Sequence, residues 1–247
     1  MQHKNNPSLF FRNFWFWISF VLLFMLLILS FKAGYVSKFA NIFSKNDVVI
    51  ASNPEYLRRI SVFKNSQKQD ETTIFLGDSI VAGYNWSEKL NSEKIVNRGV
   101  SGARIEDLTD NIKNLNISNP KKIILLIGIN DIAGVKNVHE IFKEYRNLVS
   151  QIKKEFPTAE LILTSILPIN ENMYNKINVN SKLSNDSIKE FNSLLSSNFE
   201  DYRIINFNDS ISDKNGNLKD CYTFDGLHVT GEVYDIWLDK LSLWNKK

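Results

Sequence analysis

Apolar and polar positions alternate along this chain in blocks of two kinds. Short continuous apolar runs, bounded by Gly, Pro or Asn, recur at Thr73–Leu76, Lys94–Asn97, Lys121–Ile127, Glu160–Ile166 and Arg203–Phe207. The run IILLI before Gly128 is the clearest, and such runs suit strands buried on both faces of a parallel sheet. Between them lie segments with apolar residues at helical spacing. Arg104–Leu115 carries Ile105, Leu108, Ile112 and Leu115, and Val138–Phe156 carries Ile141, Phe142, Tyr145, Leu148, Val149 and Ile152. Further helices are expected over Pro54–Lys64, Ser184–Ser197 and Thr230–Trp244. The stretch with Asn170, Asn172, Asn175, Asn178 and Asn180 reads as a polar loop bordering a site. Five strands alternating with helices predict an α/β fold, a three-layer α/β/α sandwich on a five-stranded parallel sheet.

Ahead of this pattern, residues 14–31 read FWFWISFVLLFMLLILSF without a charge. As a helix the run would be roughly 27 Å long, near the hydrocarbon thickness of a bilayer, with Trp15 and Trp17 at an interface. The expectation is one uncleaved transmembrane anchor, since Ala33-Gly34 makes a poor signal-peptide cleavage site. Lys4 and Arg12 before the run and Lys32, Lys38 and Lys45 after it leave orientation undecided by charge. The commoner arrangement places the tail inside and the catalytic domain outside, a single-pass membrane protein with an extracytoplasmic domain. The expected organisation is a tail over 1–13, an anchor over 14–31, a linker over 32–53 and a catalytic domain over 54–247.

Composition narrows the partners. Thirty Lys+Arg against 27 Asp+Glu gives +3, and no dense basic run with interleaved aromatics marks a nucleic-acid surface. The single cysteine, Cys221, has no internal disulfide partner. No His/Cys cluster has metal-ligand spacing, and neither a metal nor a cofactor is expected. The Gly-x-Ser-x-Gly elbow and the Walker loop are absent.

Four short motifs carry the chemistry: Gly77-Asp78-Ser79, Asn97-Arg98-Gly99-Val100-Ser101-Gly102, Gly128-Ile129-Asn130-Asp131 and Asp225-Gly226-Leu227-His228. Ser79 ends the first strand and opens a helix, where its amide is free to donate and the helix dipole is positive. Asp225 and His228, three residues apart, suit a carboxylate that orients an imidazole toward a serine. Gly99 and Gly102 let backbone approach a substrate oxygen, and Asn130 can offer a side-chain N–H to the same point. Each motif alone is better read as a turn, a helix cap or a surface histidine. Asp131 in particular reads as the cap of the helical turn that follows it. Of the three histidines, His3 belongs to the tail and His139 to a helix start, which leaves His228 as the candidate base.

Taken together the motifs resemble the four blocks of the SGNH hydrolases, also called GDSL-type esterases, with Ile80 in place of the leucine of that name. The resemblance runs from about Thr73 to the C-terminus and leaves the apolar run unexplained. It implies a flavodoxin-like sheet, Ser79 as nucleophile, His228 as general base and Asp225 as its partner. The implied oxyanion hole is the amides of Ser79 and Gly102 with the Asn130 side chain. The expected protein is thus a membrane-anchored bacterial serine esterase acting on a small ester, a lipid or an acetylated glycan. An O-acyltransferase serving a cell-envelope glycan is the alternative within the same chemistry. A non-catalytic surface binding domain is the alternative outside it.

Overall fold

The computed structural model describes residue 17 and residues 54–134, 137–179 and 181–242. The chain divides into two units, Met1–Ala51 and Ser52–Lys247. The strands all belong to the second unit: β1 (Gln69–Asp70), β2 (Thr73–Gly77), β3 (Ile95–Gly99), β4 (Ile117–Ser118), β5 (Lys122–Leu126), β6 (Glu160–Thr164) and β7 (Arg203–Ile205), among the described residues. Five of them form one parallel sheet in the order β3-β2-β5-β6-β7. A separate parallel pair, β1 with β4, joins Gln69 to Ile117 and Asp70 to Ser118; these two-residue strands are too short to carry a sequence pattern.

The alternation of side chains along each strand divides the core in two. Ile74, Leu76, Ile123, Leu125, Leu161 and Leu163 face one side, under helices Pro54–Lys64, Ile105–Asn111, Val138–Glu155 and Asn185–Asn198. Phe75, Ile124, Leu126 and Ile162 face the other, under Ser79–Ala82, Trp86–Lys89, Asn208–Ile211 and Gly231–Leu241. Because both faces are covered, every other residue is not free to be polar, and the strands read as unbroken apolar runs. On the second face Phe75 stacks on Trp86 with centroids 3.8 Å apart, and Trp237 meets Trp86 edge-on at 5.1 Å. Complete burial of a phenylalanine such as Phe75 contributes about 1.5–3 kcal/mol.

Two expected elements differ. The asparagine-rich stretch holds a helix, Glu171–Ile177, capped by the Asn170 side chain, which accepts from the Met173 amide at 3.1 Å. Polar composition made it read as loop, yet Asn170 ends the preceding segment and starts a turn in one residue. The expected helix over Arg104–Leu115 is α-helical only to Asn111 and tightens to a 3₁₀ turn over Ile112–Leu115.

The expected transmembrane helix is corrected, and with it the membrane-anchored form, the membrane as a partner and the single-pass localisation. Among the described residues no helix is long and apolar enough to cross a membrane. The run 14–31, apart from Trp17, lies outside the described residues. An uncharged run of spanning length makes a stretch a candidate for a membrane helix and does not by itself show that one forms.

The sheet order places the site. From β2 the chain moves outward to β3, then returns past β2 to β5, β6 and β7. The reversal falls between β2 and its two neighbours, and in open α/β sheets ligands bind outside the strand carboxyl ends at such a switch point. Gly77 is in register with Gly99 on one side and Leu126 on the other. Three of the four motifs therefore leave the sheet side by side.

Candidate active site

The first motif leaves β2 as a tight turn. Asp78 caps the short helix Ser79–Ala82, its carboxylate accepting from the Ile80 amide at 3.0 Å. Ser79 is the first helical residue, and its amide lacks an intrahelical partner by position. With only four residues that helix has little macrodipole, so the dipole invoked for Ser79 is minor. What fixes the turn is the core beneath it. The Tyr234 hydroxyl donates to the Ile80 carbonyl at 2.7 Å, and the Trp86 indole N–H donates to Val81 at 2.9 Å. The Asn97 amide donates to Val81 and Tyr84 carbonyls, both at 3.0 Å. Its own oxygen accepts from the Gly99 amide at 2.8 Å, tying the second motif to the first.

The fourth motif comes from the far end of the chain. Thr223 and Val229 form an antiparallel bridge that closes a loop around it. Asp225 Oδ1 accepts from the Leu227 and His228 amides at 2.9 and 2.8 Å, and Thr223 Oγ1 accepts from Gly226 at 2.9 Å. Gly226 sits at φ +87° and is pressed against the neighbouring helix, where a Cβ would lie 2.5 Å from the Tyr174 nitrogen. The Asn170 amide donates to the Gly226 carbonyl at 2.8 Å, so the asparagine-rich segment does border the loop, as a helix.

These two turns meet. His228 Nε2 lies 2.9 Å from Ser79 Oγ, and His228 Nδ1 lies 2.6 Å from Asp225 Oδ2. With Nδ1 protonated toward the carboxylate, Nε2 presents a lone pair to the hydroxyl, the arrangement in which a histidine accepts a serine proton. Burial pushes the Asp225 carboxyl upward, but the His228 hydrogen bond and the two loop amides outweigh it and hold it below its ordinary value. It therefore stays ionised beside the imidazole. Asp78 behaves oppositely. Complete burial drives its carboxyl up to about 7, against the smaller effects of the Ile80 amide and His228.

Gly102, at φ +73°, lies in the exposed turn after β3, which is tied back to β2 by the Val100 amide donating to Gly77 at 3.0 Å. Asn130 follows β5 and donates its side-chain amide to the Ala103 carbonyl at 2.9 Å. That bond uses one of the two Nδ2 protons and fixes where the other points. Asp131 does not cap its own helical turn as expected. It is buried, and its carboxylate accepts from the Ile105 amide at 3.2 Å, capping the helix that follows Gly102. Asn130 and Asp131 thus grip the segment just after Gly102 at two successive points. His139 stands apart, exposed beside Glu190 at 3.3 Å, and His3 lies outside the described residues. Among the described residues no group of His, Cys, Asp and Glu could hold a metal ion.

The braces Asp78, Asn97, Tyr234 and Thr223 were not marked as functional from sequence. Asp78 and Asn97 each carried a local signal, an Asp or Asn two residues before the amide from which its side chain accepts. The site lies on open surface, with the His228 side chain 49 % exposed. A groove of about 780 Å³ lined by Asn185, Lys189, Asn192 and Asn208 contains none of these residues.

A doubly wound parallel sheet with a Ser–His–Asp line at its switch point defines an α/β protein of the serine-hydrolase kind. Residues 75–236 match the GDSL-like lipase/acylhydrolase family, and the chain belongs to that family. Its reaction is accordingly of the hydrolase, ester-cleaving type. Among solved structures, a Streptococcus pneumonia protein provisionally described as a platelet activating factor is 28% identical, with a TM-score of 0.68, covering 86% of this chain and 99% of that one. A Bacteroides fragilis protein provisionally described as an acylhydrolase has a TM-score of 0.62 at 23% identity, covering 80% and 96%. A GDSL-like lipase from Bacteroides thetaiotaomicron has 0.60 at 23%, covering 78% and 97%. The last two attest the fold alone. An N-acylneuraminate cytidylyltransferase of Escherichia coli O18:K1:H7 is 26% identical over 158 residues. The match takes 63% of this chain but only 36% of that enzyme, so this chain spans about a third of its length.

Proposed function

We propose that the chain is a serine esterase that works through an acyl-enzyme on Ser79, with Asp225 and His228 as its acid–base pair. The hydrogen-bonded line from Asp225 Oδ2 through His228 to Ser79 Oγ, at 2.6 and 2.9 Å, is the observation that carries this reading. Ser79 Oγ attacks the ester carbonyl while His228 Nε2 takes its proton. The amides of Ser79 and Gly102 and the remaining Asn130 N–H stabilise the oxyanion. Collapse breaks the bond to the alkoxy oxygen, which receives the proton from His228 and leaves as the alcohol. Water, activated by the same histidine, then releases the acid. The reading extends to a short acyl group, with O-acetyl as the simplest case.

The exposed His228 favours water, which needs no binding site, as the acceptor of the acyl group over a sugar hydroxyl. Cytidylyl transfer, the activity in the name of the E. coli relative, is not carried over, because only about a third of that enzyme is shared. The test is hydrolysis of p-nitrophenyl acetate by the full chain beside Ser79→Ala. The wild type should turn over, and the variant should lose about 10⁴-fold or more in kcat. Equal turnover by the two would overturn the assignment.

A further inference from the structure

In the unit Ser52–Lys247 the large apolar side chains left exposed, among the described residues, are Leu57, Val62, Ile177, Val179 and Phe224. Leu57 and Val62 lie on the helix Pro54–Lys64. The other three fall on two segments that touch. Phe224 sits between the Thr223–Val229 bridge and Asp225, in the loop that carries His228, and is 90% exposed beside a buried Thr223. Ile177 ends the helix Glu171–Ile177, whose start holds that loop through the Asn170 amide and whose Tyr174 backs Gly226. Val179, 81% exposed, follows it. Scattered exposed apolar residues need no explanation, but a phenylalanine held in the open by a loop fixed at both ends, one residue from the acid–base pair, does.

The direction of proton transfer says which part of a substrate would meet it, provided the esterase reading holds. The carbonyl oxygen must point to the donors at Gly102 and Asn130. The alkoxy oxygen must lie against His228 Nε2 to receive its proton, so the alcohol portion leaves over the His228 loop and the acyl portion does not. We propose that Phe224, with Val179 and Ile177 of the adjoining segment, forms an apolar contact for the alcohol portion, and that the preferred substrates join a small acyl group to an apolar alcohol. Bonds and protons are those of ester hydrolysis: Oγ–carbon forms, carbon–alkoxy oxygen breaks, and the alcohol departs carrying the histidine's proton.

The experiment measures kcat/KM of the full chain for methyl and hexyl acetate, and for ethyl acetate and ethyl hexanoate, by acid release in a pH-stat. Phe224→Ser and Val179→Ser are compared with Leu57→Ser, an exposed apolar residue outside both segments. In the wild type the hexyl-to-methyl ratio should exceed one. Phe224→Ser should lower it roughly tenfold, the low end of what one methylene of apolar contact is worth, and Val179→Ser by less. Leu57→Ser should leave it unchanged, and the hexanoate-to-acetate ratio should not follow. An unchanged hexyl-to-methyl ratio in Phe224→Ser, or a loss confined to the acyl series, overturns the proposal while the esterase reading stands. Absence of Ser79-dependent hydrolysis of any of these esters overturns both. Unfolding temperatures within a degree or two of wild type, expected for side chains this exposed, show that each variant is folded.

Discussion

The Ser79 turn and the His228 loop are built in different ways. Ser79 rides on the core: Asp78 beneath it is buried, and Tyr234, Trp86 and Asn97 hold the carbonyls of Ile80, Val81 and Tyr84 from three separate elements. The His228 loop is held largely by its own hydrogen bonds, with Leu227 and Val229 packed against the core. Its bonds run from Asp225 to Leu227 and His228 and from Thr223 to Gly226, with one tie to Asn170. A site needs its reacting atoms fixed, but the two halves reach that end through different parts of the sequence. Disturbing the first should cost stability along with rate; disturbing the second should cost rate alone.

Asp225→Asn is the sharpest way to break this contrast. Asparagine keeps an Oδ1 that can accept from Leu227 and His228, so the loop should survive with little change in unfolding temperature. The group facing His228 Nδ1 becomes an N–H, which favours the wrong imidazole tautomer. The loss in kcat should be on the order of 10²–10⁴-fold. A variant near wild-type rate would show that the loop carbonyls, rather than the carboxylate, orient the ring.

Asn130→Ala should come next, with about 10²–10³-fold lost from kcat, the usual consequence of deleting one oxyanion donor. Because Asn130 also holds the Ala103 carbonyl, a modest fall in stability should accompany it. Hydrolysis within a few-fold of wild type would remove Asn130 from contact with the oxyanion.

Asp78→Asn probes the buried half through pH, and its effect is the smallest on rate. The folded carboxyl titrates at about 7, above its ordinary 3.8. The protonated form is thus favoured by folding, a contribution fully present below about pH 4 and lost as pH rises through 7. Wild-type unfolding free energy should decline between pH 5 and 8 by more than that of Asp78→Asn, which can still cap Ile80 through its side-chain oxygen. Parallel stability curves for the two proteins would show that Asp78 is not the group responsible.

Much of this architecture was legible from sequence for a physical reason. Strands covered on both faces, such as Ile123–Leu126, must be apolar throughout, and helices covered on one face, such as Val138–Glu155, must show the helical period. A serine and an asparagine at strand ends and a histidine on the last loop could be singled out from sequence because chemistry restricts such residues, and the fold brings Ser79 and His228 within 2.9 Å. What escaped was long-range and polar. Tyr234 meets Ile80 across 154 positions of sequence, and Asp131 caps a helix that begins 26 residues earlier; neither leaves a local pattern. The helix Glu171–Ile177 escaped because its polar face outweighs the single buried Tyr174. The expected anchor at 14–31 is not borne out: no helix among the described residues is long and apolar enough to cross a membrane, and all of that run except Trp17 lies outside them.

The central claim, that the Asp225–His228 pair activates Ser79 as a nucleophile, is tested most directly by covalent capture. The full chain is treated with a fluorophosphonate, and its intact mass is measured beside Ser79→Ala and His228→Ala. One adduct should form on the wild type, located by peptide mapping to Ser79. None should form on Ser79→Ala, and capture by His228→Ala should be slowed by orders of magnitude. An adduct of equal yield on Ser79→Ala, or equal rates with and without His228, would contradict the account.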